Sequence, residues 1–141
     1  PNLGIVDLGD YQSCTLADIP GLIEGASEGR GLGHEFLRHI ERTRALLFMV
    51  DAAYEAPTEA LETLYGELTE YDPRLAALPI AVVVTKADLL DTEREAEAMA
   101  EAAAWCAAHG GRETLLISAV TGRGIDRLRH LMRRLLVVAG D

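Results

Sequence analysis

Ile80-Ala-Val-Val-Val-Thr-Lys-Ala-Asp88 is an apolar, β-branched run that stops abruptly at a hydrophilic turn. No polar residue interrupts Ile80–Val84, so the pattern predicts a strand covered on both faces, and such strands are usually parallel. A parallel strand needs a crossover on each side, normally a helix. The flanking sequence supplies both. Upstream, Ala45–Val50 is a second apolar run that ends at Asp51, and Leu61, Leu64, Tyr65 and Leu68 then recur at helical spacing, with Pro73 and Pro79 as punctuation. Downstream, a helix from about Asp91 to His109 is expected to bury Met99, Ala103 and Cys106 and to stop at Gly110 and Gly111. Thr114–Ile117 reads as the last strand. Gly122–Val138 closes the chain as a helix with Ile125, Leu128, Leu131, Met132 and Leu135 on one stripe and arginines opposite.

Nearer the N-terminus, Leu3, Ile5 and Leu8 lead into a Gly9-Asp10 turn, and Ser13–Asp18 alternates, which predicts a hairpin. Pro20–Gly33 carries Gly21, Gly25, Gly29, Gly31 and Gly33, a density that favours a loop over regular structure. His34–Arg42 places Phe36, Leu37 and Ile40 on one helical face. Strands alternating with helices predict an α/β fold with one open, mostly parallel sheet, the hairpin forming its antiparallel edge.

The 141 residues suit a single domain, and 49% hydrophobic with 26% charged residues is ordinary globular usage. A formal charge of -10 argues against a general nucleic-acid coat. No apolar run approaches the roughly 20 residues of a membrane span, and no charged-then-apolar leader begins the chain, so a cytoplasmic protein is expected. Cys14 and Cys106 fall in separate strand and helix segments and are expected as buried free thiols. The chain begins at Pro1, without an initiator methionine, as a processed product or a piece of a longer protein does.

Ligands of open α/β sheets bind beyond the carboxyl ends of the strands, so the turns there carry the chemistry. In Thr85-Lys86-Ala87-Asp88, Lys86 is the only lysine of the chain. A carboxylate such as Asp88 can accept two parallel hydrogen bonds from a ring with adjacent N–H donors, as guanine has and adenine lacks. The methylene stem of Lys86 can lie on a base while its ammonium reaches oxygens. The same residues also fit a surface Lys–Asp pair at a helix start. Asp18-Ile19-Pro20-Gly21 offers a carboxylate for magnesium through water and a bare glycine N–H for a phosphate, or else an ordinary turn. Ser118-Ala119-Val120-Thr121-Gly122-Arg123-Gly124 can turn the Ala119 N–H toward a base carbonyl, with Gly122 opening a helix.

These three turns occur in the order that serves one guanine nucleotide. The sequence resembles the G domain of the translation-factor-like GTPases, a Ras-like, P-loop-NTPase-like fold. The run Asp18-Ile-Pro-Gly-Leu-Ile-Glu-Gly-Ala-Ser-Glu-Gly-Arg-Gly-Leu-Gly-His-Glu-Phe-Leu-Arg-His-Ile-Glu-Arg-Thr43 resembles the Obg family in particular. The opening Pro1-Asn2-Leu3-Gly4 is similar to the segment after that family's first switch threonine, and the likeness covers essentially the whole chain, 1–141, as one partial G domain. The resemblance implies GTP and GDP as ligands and hydrolysis as a molecular switch in ribosome assembly or stress and growth control. It assigns Asp18 to Mg2+ through water, Gly21 to the terminal phosphate, Thr85, Lys86 and Asp88 to the base, and Ser118, Ala119 and Val120 to the loop at the guanine oxygen. The Gly25–Gly33 loop corresponds to the second switch. Leu22 stands where the wider class often has the glutamine that positions water, so slow intrinsic hydrolysis is expected and no catalytic residue is assigned. Thr85 stands where many relatives carry asparagine.

No G-x-x-x-x-G-K-[ST] phosphate loop occurs in these residues. By the family pattern it lies with the first, central strand immediately upstream of Pro1. The chain alone is therefore expected to be inactive and to need that segment or a partner chain to complete its sheet. Arg123, Arg127, Arg129, Arg133 and Arg134 make the last helix locally basic, either a solvated face or a surface for RNA, and association with the ribosome or rRNA is implied by the resemblance alone. Two other classes fit parts of the sequence. One is a receiver-like signalling domain with Asp51 as phosphoacceptor and Lys86 as its cation. The other is a catalytically inert interaction module on a G-domain scaffold.

Overall fold

The computed structural model describes residues 3–18 and 41–140. β1 (Leu3–Gly9) and β2 (Gln12–Ala17) form an antiparallel hairpin with Leu3 opposite Ala17 and Val6 opposite Cys14. Its tip holds Asp10 and Tyr11 at φ of 52° and 61°, the left-handed pair whose twist matches that of the flanking strands. β3 (Leu46–Asp51), β4 (Ile80–Thr85) and β5 (Glu113–Leu116) form a parallel sheet with β4 in the centre, as the apolar run predicts. Val50 lies beside Val84, and Val84 beside Leu116. The α/β architecture is as expected, with one difference. The hairpin is not an edge of the parallel sheet: β1 and β2 pair only with each other among the described residues. β1 spends one edge on β2 and lies near the last helix, and its other edge has no partner among the described residues, where the central strand expected upstream of Pro1 would pair.

Three helices follow: α1 (Pro57–Tyr71), α2 (Thr92–Ala108) and α3 (Ile125–Ala139). Pro57 opens α1 where a missing N–H costs nothing. Asp91 caps α2 by accepting the Arg94 N–H at 2.7 Å. α1 and α2 cover one face of the sheet, where Phe48, Val50, Val82 and Val84 meet Leu61, Leu68, Ala98, Ala102 and Trp105. On the other face Ala81 packs with Leu131 and Leu135 of α3. β4 is therefore buried on both sides, which explains its lack of alternation.

The buried stripe of α2 differs from the one predicted. It runs through Ala98, Ala102, Trp105 and Cys106, while Ala103 is exposed and Met99 half-buried. The indole sets the rotation: Trp105 tilts against Phe48 at 5.6 Å, stacks on His109 at 4.0 Å, and donates its N–H to Glu62 at 2.8 Å. Both cysteines are free, but only Cys106 is buried; Cys14 is half-buried because its strand belongs to the two-stranded hairpin. No helix among the described residues is long and apolar enough to cross a membrane.

Candidate functional site

The parallel sheet delivers three consecutive strand ends to one rim. Asp51, the last residue of β3, is in register with Thr85, the last of β4. The half-buried Thr85 hydroxyl donates to the Val50 carbonyl at 3.3 Å, so it spends its proton on the neighbouring strand. Lys86 then takes a left-handed conformation (φ 60°, ψ 42°), which turns the chain sharply into a short 3₁₀ segment, Ala87–Leu89. The Ala87 N–H donates to the Ile117 carbonyl at 3.0 Å and ties this turn to the end of β5.

Ser118 joins the two turns chemically. Its side chain is fully buried (0% exposed), and its hydroxyl donates to Asp88 Oδ1 at 2.7 Å while accepting the Thr121 N–H at 3.2 Å. Asp88 is exposed, so its carboxylate is oriented by a buried hydroxyl yet open to a ligand. Ala119 and Val120 are exposed in the same loop. That loop is braced twice. The Ser118 N–H donates to the Arg123 carbonyl at 2.9 Å, and the Arg123 guanidinium makes a two-pronged pair with Glu95 of α2, at 3.0 and 2.6 Å. The Arg123 hydrogen bonds hold the Glu95 carboxyl below its ordinary range. The helix opens at Gly124, not Gly122: Gly124 caps α3 at φ 79°, and a Cβ there would sit 2.5 Å from the Leu116 carbonyl oxygen.

Lys86 is half-exposed and its ammonium lies 2.7 Å from Asp51 Oδ2 and 5.3 Å from the centre of the Tyr54 ring. The hydrogen bond and charge of Asp51 raise the lysine's pKa above its ordinary value. The structure thus brings together Thr85, Lys86, Asp88, Ser118, Ala119 and Val120. Asp18 follows β2 on the hairpin and is exposed. Gly21, Leu22, the Gly25–Gly33 loop and the predicted His34–Ile40 helical face lie outside the described residues. No three His, Cys, Asp or Glu side chains cluster as a metal cage among the described residues. A hard divalent ion that keeps its waters and nucleotide oxygens needs no such cage, and the exposed Asp18 carboxylate fits that mode.

The basic character of α3 is largely neutralised. Arg133 pairs with Asp10 at 3.1 Å, Arg134 with Glu113 at 2.6 Å, and Arg129 with Asp126, in addition to Arg123 with Glu95. Sequence reading missed the Glu95–Arg123 brace, which joins residues 28 apart across a strand with nothing local to mark it. It set Lys86 beside Asp51 only within the receiver-like alternative, and the structure makes the two an ion pair.

A central parallel strand ending in the Thr85–Asp88 turn, and a buried serine orienting the aspartate of that turn, define the class: this is the α/β fold of G domains. The chain belongs to the 50S ribosome-binding GTPase family, whose pattern matches residues 1–86. It is similar to GTPase Obg of Desulforudis audaxviator, with 50% identity over 96% of this chain and 32% of that protein. To GTPase Obg of Lachnoclostridium phytofermentans it is 45% identical over 96% of this chain and 32% of the relative; for Solibacter usitatus the figures are 43%, 94% and 39%. These relatives bear out the resemblance to Obg. The chain spans about a third of the length of the curated relatives it matches. Among solved structures, an SsGBP mutation variant superposes with a TM-score of 0.75 at 16% identity, over 99% of this chain and 48% of the other. The SsGBP and GDP complex gives 0.73 at 17%, over 96% and 42%. At such identities the likeness is one of fold.

Proposed function

We propose that residues 1–141 act as one G-domain unit of an Obg-type GTPase that binds GTP and GDP and hydrolyses GTP as a switch. The observation that carries this reading is the Ser118–Asp88 pair set beside Lys86 at the strand ends. Asp88 accepts the adjacent N–H groups of guanine, the Lys86 stem covers the base, and the Ala119 N–H meets the guanine carbonyl, with Thr85 and Val120 shaping the turns. Asp18 holds Mg2+ through water, and Gly21 approaches the terminal phosphate. When bound, the ion supplies charge to the phosphate oxygens. Leu22 offers no hydrogen bond to water, which supports slow intrinsic turnover. Association with the ribosome is supported by the family's description, and a role in ribosome assembly or growth control in the cytoplasm completes the reading. Because most α3 arginines are already paired, an RNA contact there must exchange those partners.

The test is a titration of fluorescent GDP and ADP, with magnesium, against the 141-residue chain and against the full-length gene product. Guanine-selective binding by the full-length product is the expected result. An absence of guanine preference in both forms overturns the reading in favour of an inert interaction module or a receiver-like domain.

A further inference from the structure

We infer that Asp51 is a positioning residue for the base site, holding the Lys86 ammonium so that the lysine stem lies ready for the purine. This rests on the guanine-nucleotide reading above and extends it to a residue that no step of that reading uses. Both carboxylate oxygens of Asp51 are engaged: Oδ2 meets Lys86 Nζ at 2.7 Å, and Oδ1 accepts the Ala53 N–H at 3.1 Å. The second bond forms a side-chain turn that fixes the carboxylate's direction. The Asp51 carbonyl in turn accepts the Tyr54 and Glu55 N–H groups at 3.2 and 3.0 Å, and Arg94 of α2 donates to the Ala52 and Glu55 carbonyls, both at 3.3 Å. The anchor is therefore stiff while the lysine is a flexible four-carbon stem whose only carboxylate partner among the described residues is this one. The exposed Tyr54 ring, 5.3 Å from the ammonium, adds a weaker attraction on the same side. Lys86 starts from a left-handed backbone, so its stem leaves the turn in a direction that the tether to β3 then limits.

The chemistry predicts a signature. The stem packs on any purine, so losing the tether weakens guanine and hypoxanthine nucleotides alike and leaves their ratio, which Asp88 sets, unchanged. The experiment measures fluorescent GDP and IDP affinity on the full-length gene product as a double-mutant cycle of Asp51→Asn and Lys86→Met. Asparagine keeps an acceptor for the Ala53 N–H and removes only the charge. Asp51→Asn is expected to weaken both nucleotides by about twofold to fivefold, the range of an exposed ion pair. In the Lys86→Met background it should have no further effect, since the coupling runs through the ammonium. Equal losses in both backgrounds would make Asp51 a loop-building residue only and overturn the inference, as would no loss in either. If the unaltered protein shows no guanine preference, it is the underlying reading that has failed, and the inference falls with it for that separate reason.

Discussion

Ser118→Ala removes one fully buried oxygen from the turn proposed to read the base. The hydroxyl makes two bonds, a 2.7 Å donation to the Asp88 carboxylate and a 3.2 Å acceptance from the Thr121 N–H. A hydrogen bond to a charged group is worth about 1.5–3 kcal/mol and a neutral one about 0.5–1.5. Asp88 is exposed and regains water when its partner is lost, so its share falls to the lower end; the two losses together come to about 2 kcal/mol. Roughly two-thirds of this, about 1.4 kcal/mol, belongs to the bond that aims Asp88, which sets an upper bound of about tenfold on the loss of guanine nucleotide affinity. The assay is the dissociation constant of fluorescent GDP on the full-length gene product, with IDP in parallel. IDP lacks the exocyclic amine, so a misaimed Asp88 should also narrow the preference for GDP. An affinity within twofold of the unaltered protein, with the GDP to IDP ratio intact, would refute the claim that the buried hydroxyl orients the carboxylate.

Asp88→Asn should weaken GTP and favour xanthosine nucleotides, because the side-chain amide can donate to the extra carbonyl; unchanged preference in a competition assay removes Asp88 from the base site. Asp18→Ala should lower the magnesium-dependent part of GTP affinity, read by titrating with and without the ion, and a fully retained magnesium effect would discard the metal assignment. Leu61, 0% exposed between the sheet and α2, should cost about 2–5 kcal/mol when changed to alanine, measured by denaturant unfolding. Burial raises the Cys106 and Cys14 thiols above their ordinary pKa, so at neutral pH both are mostly protonated. Cys14, the less buried, should be alkylated first in a timed labelling experiment, and faster reaction at Cys106 would contradict its packing.

Much of this was legible from pattern. Ile80–Val84 declared a strand buried on both faces, and the acidic or hydroxylated residues after each strand named the rim where Asp88 and Ser118 meet. The contact between those two was not legible, because 30 residues separate them and only the β4–β5 register closes the gap. The face of α2 was misjudged for a related reason. Ala98 and Ala102 carry too little hydrophobicity to outweigh Met99, and it is the volume of Trp105 that turns the helix. The hairpin was recognised from alternation and its Gly9-Asp10 turn, but local pattern says nothing about which strand lies beside it. The arginines of α3 likewise looked like a cationic stripe because their partners, Asp10 and Glu113, lie on other elements.

The separation of the hairpin from the parallel sheet has a dynamic consequence. Asp18 rides on a two-stranded ladder, and Asp88 on a three-stranded one with a helix-covered core. Cooperative opening follows such hydrogen-bonded units, so amides of β1 and β2 should exchange with solvent by small, local fluctuations while those of β4 wait for global unfolding. The central strand expected upstream of Pro1 would join the two ladders, so the β1 and β2 amides should exchange far more slowly in the full-length gene product than in the 141-residue chain, and equal exchange in both would show that the hairpin stands apart even there.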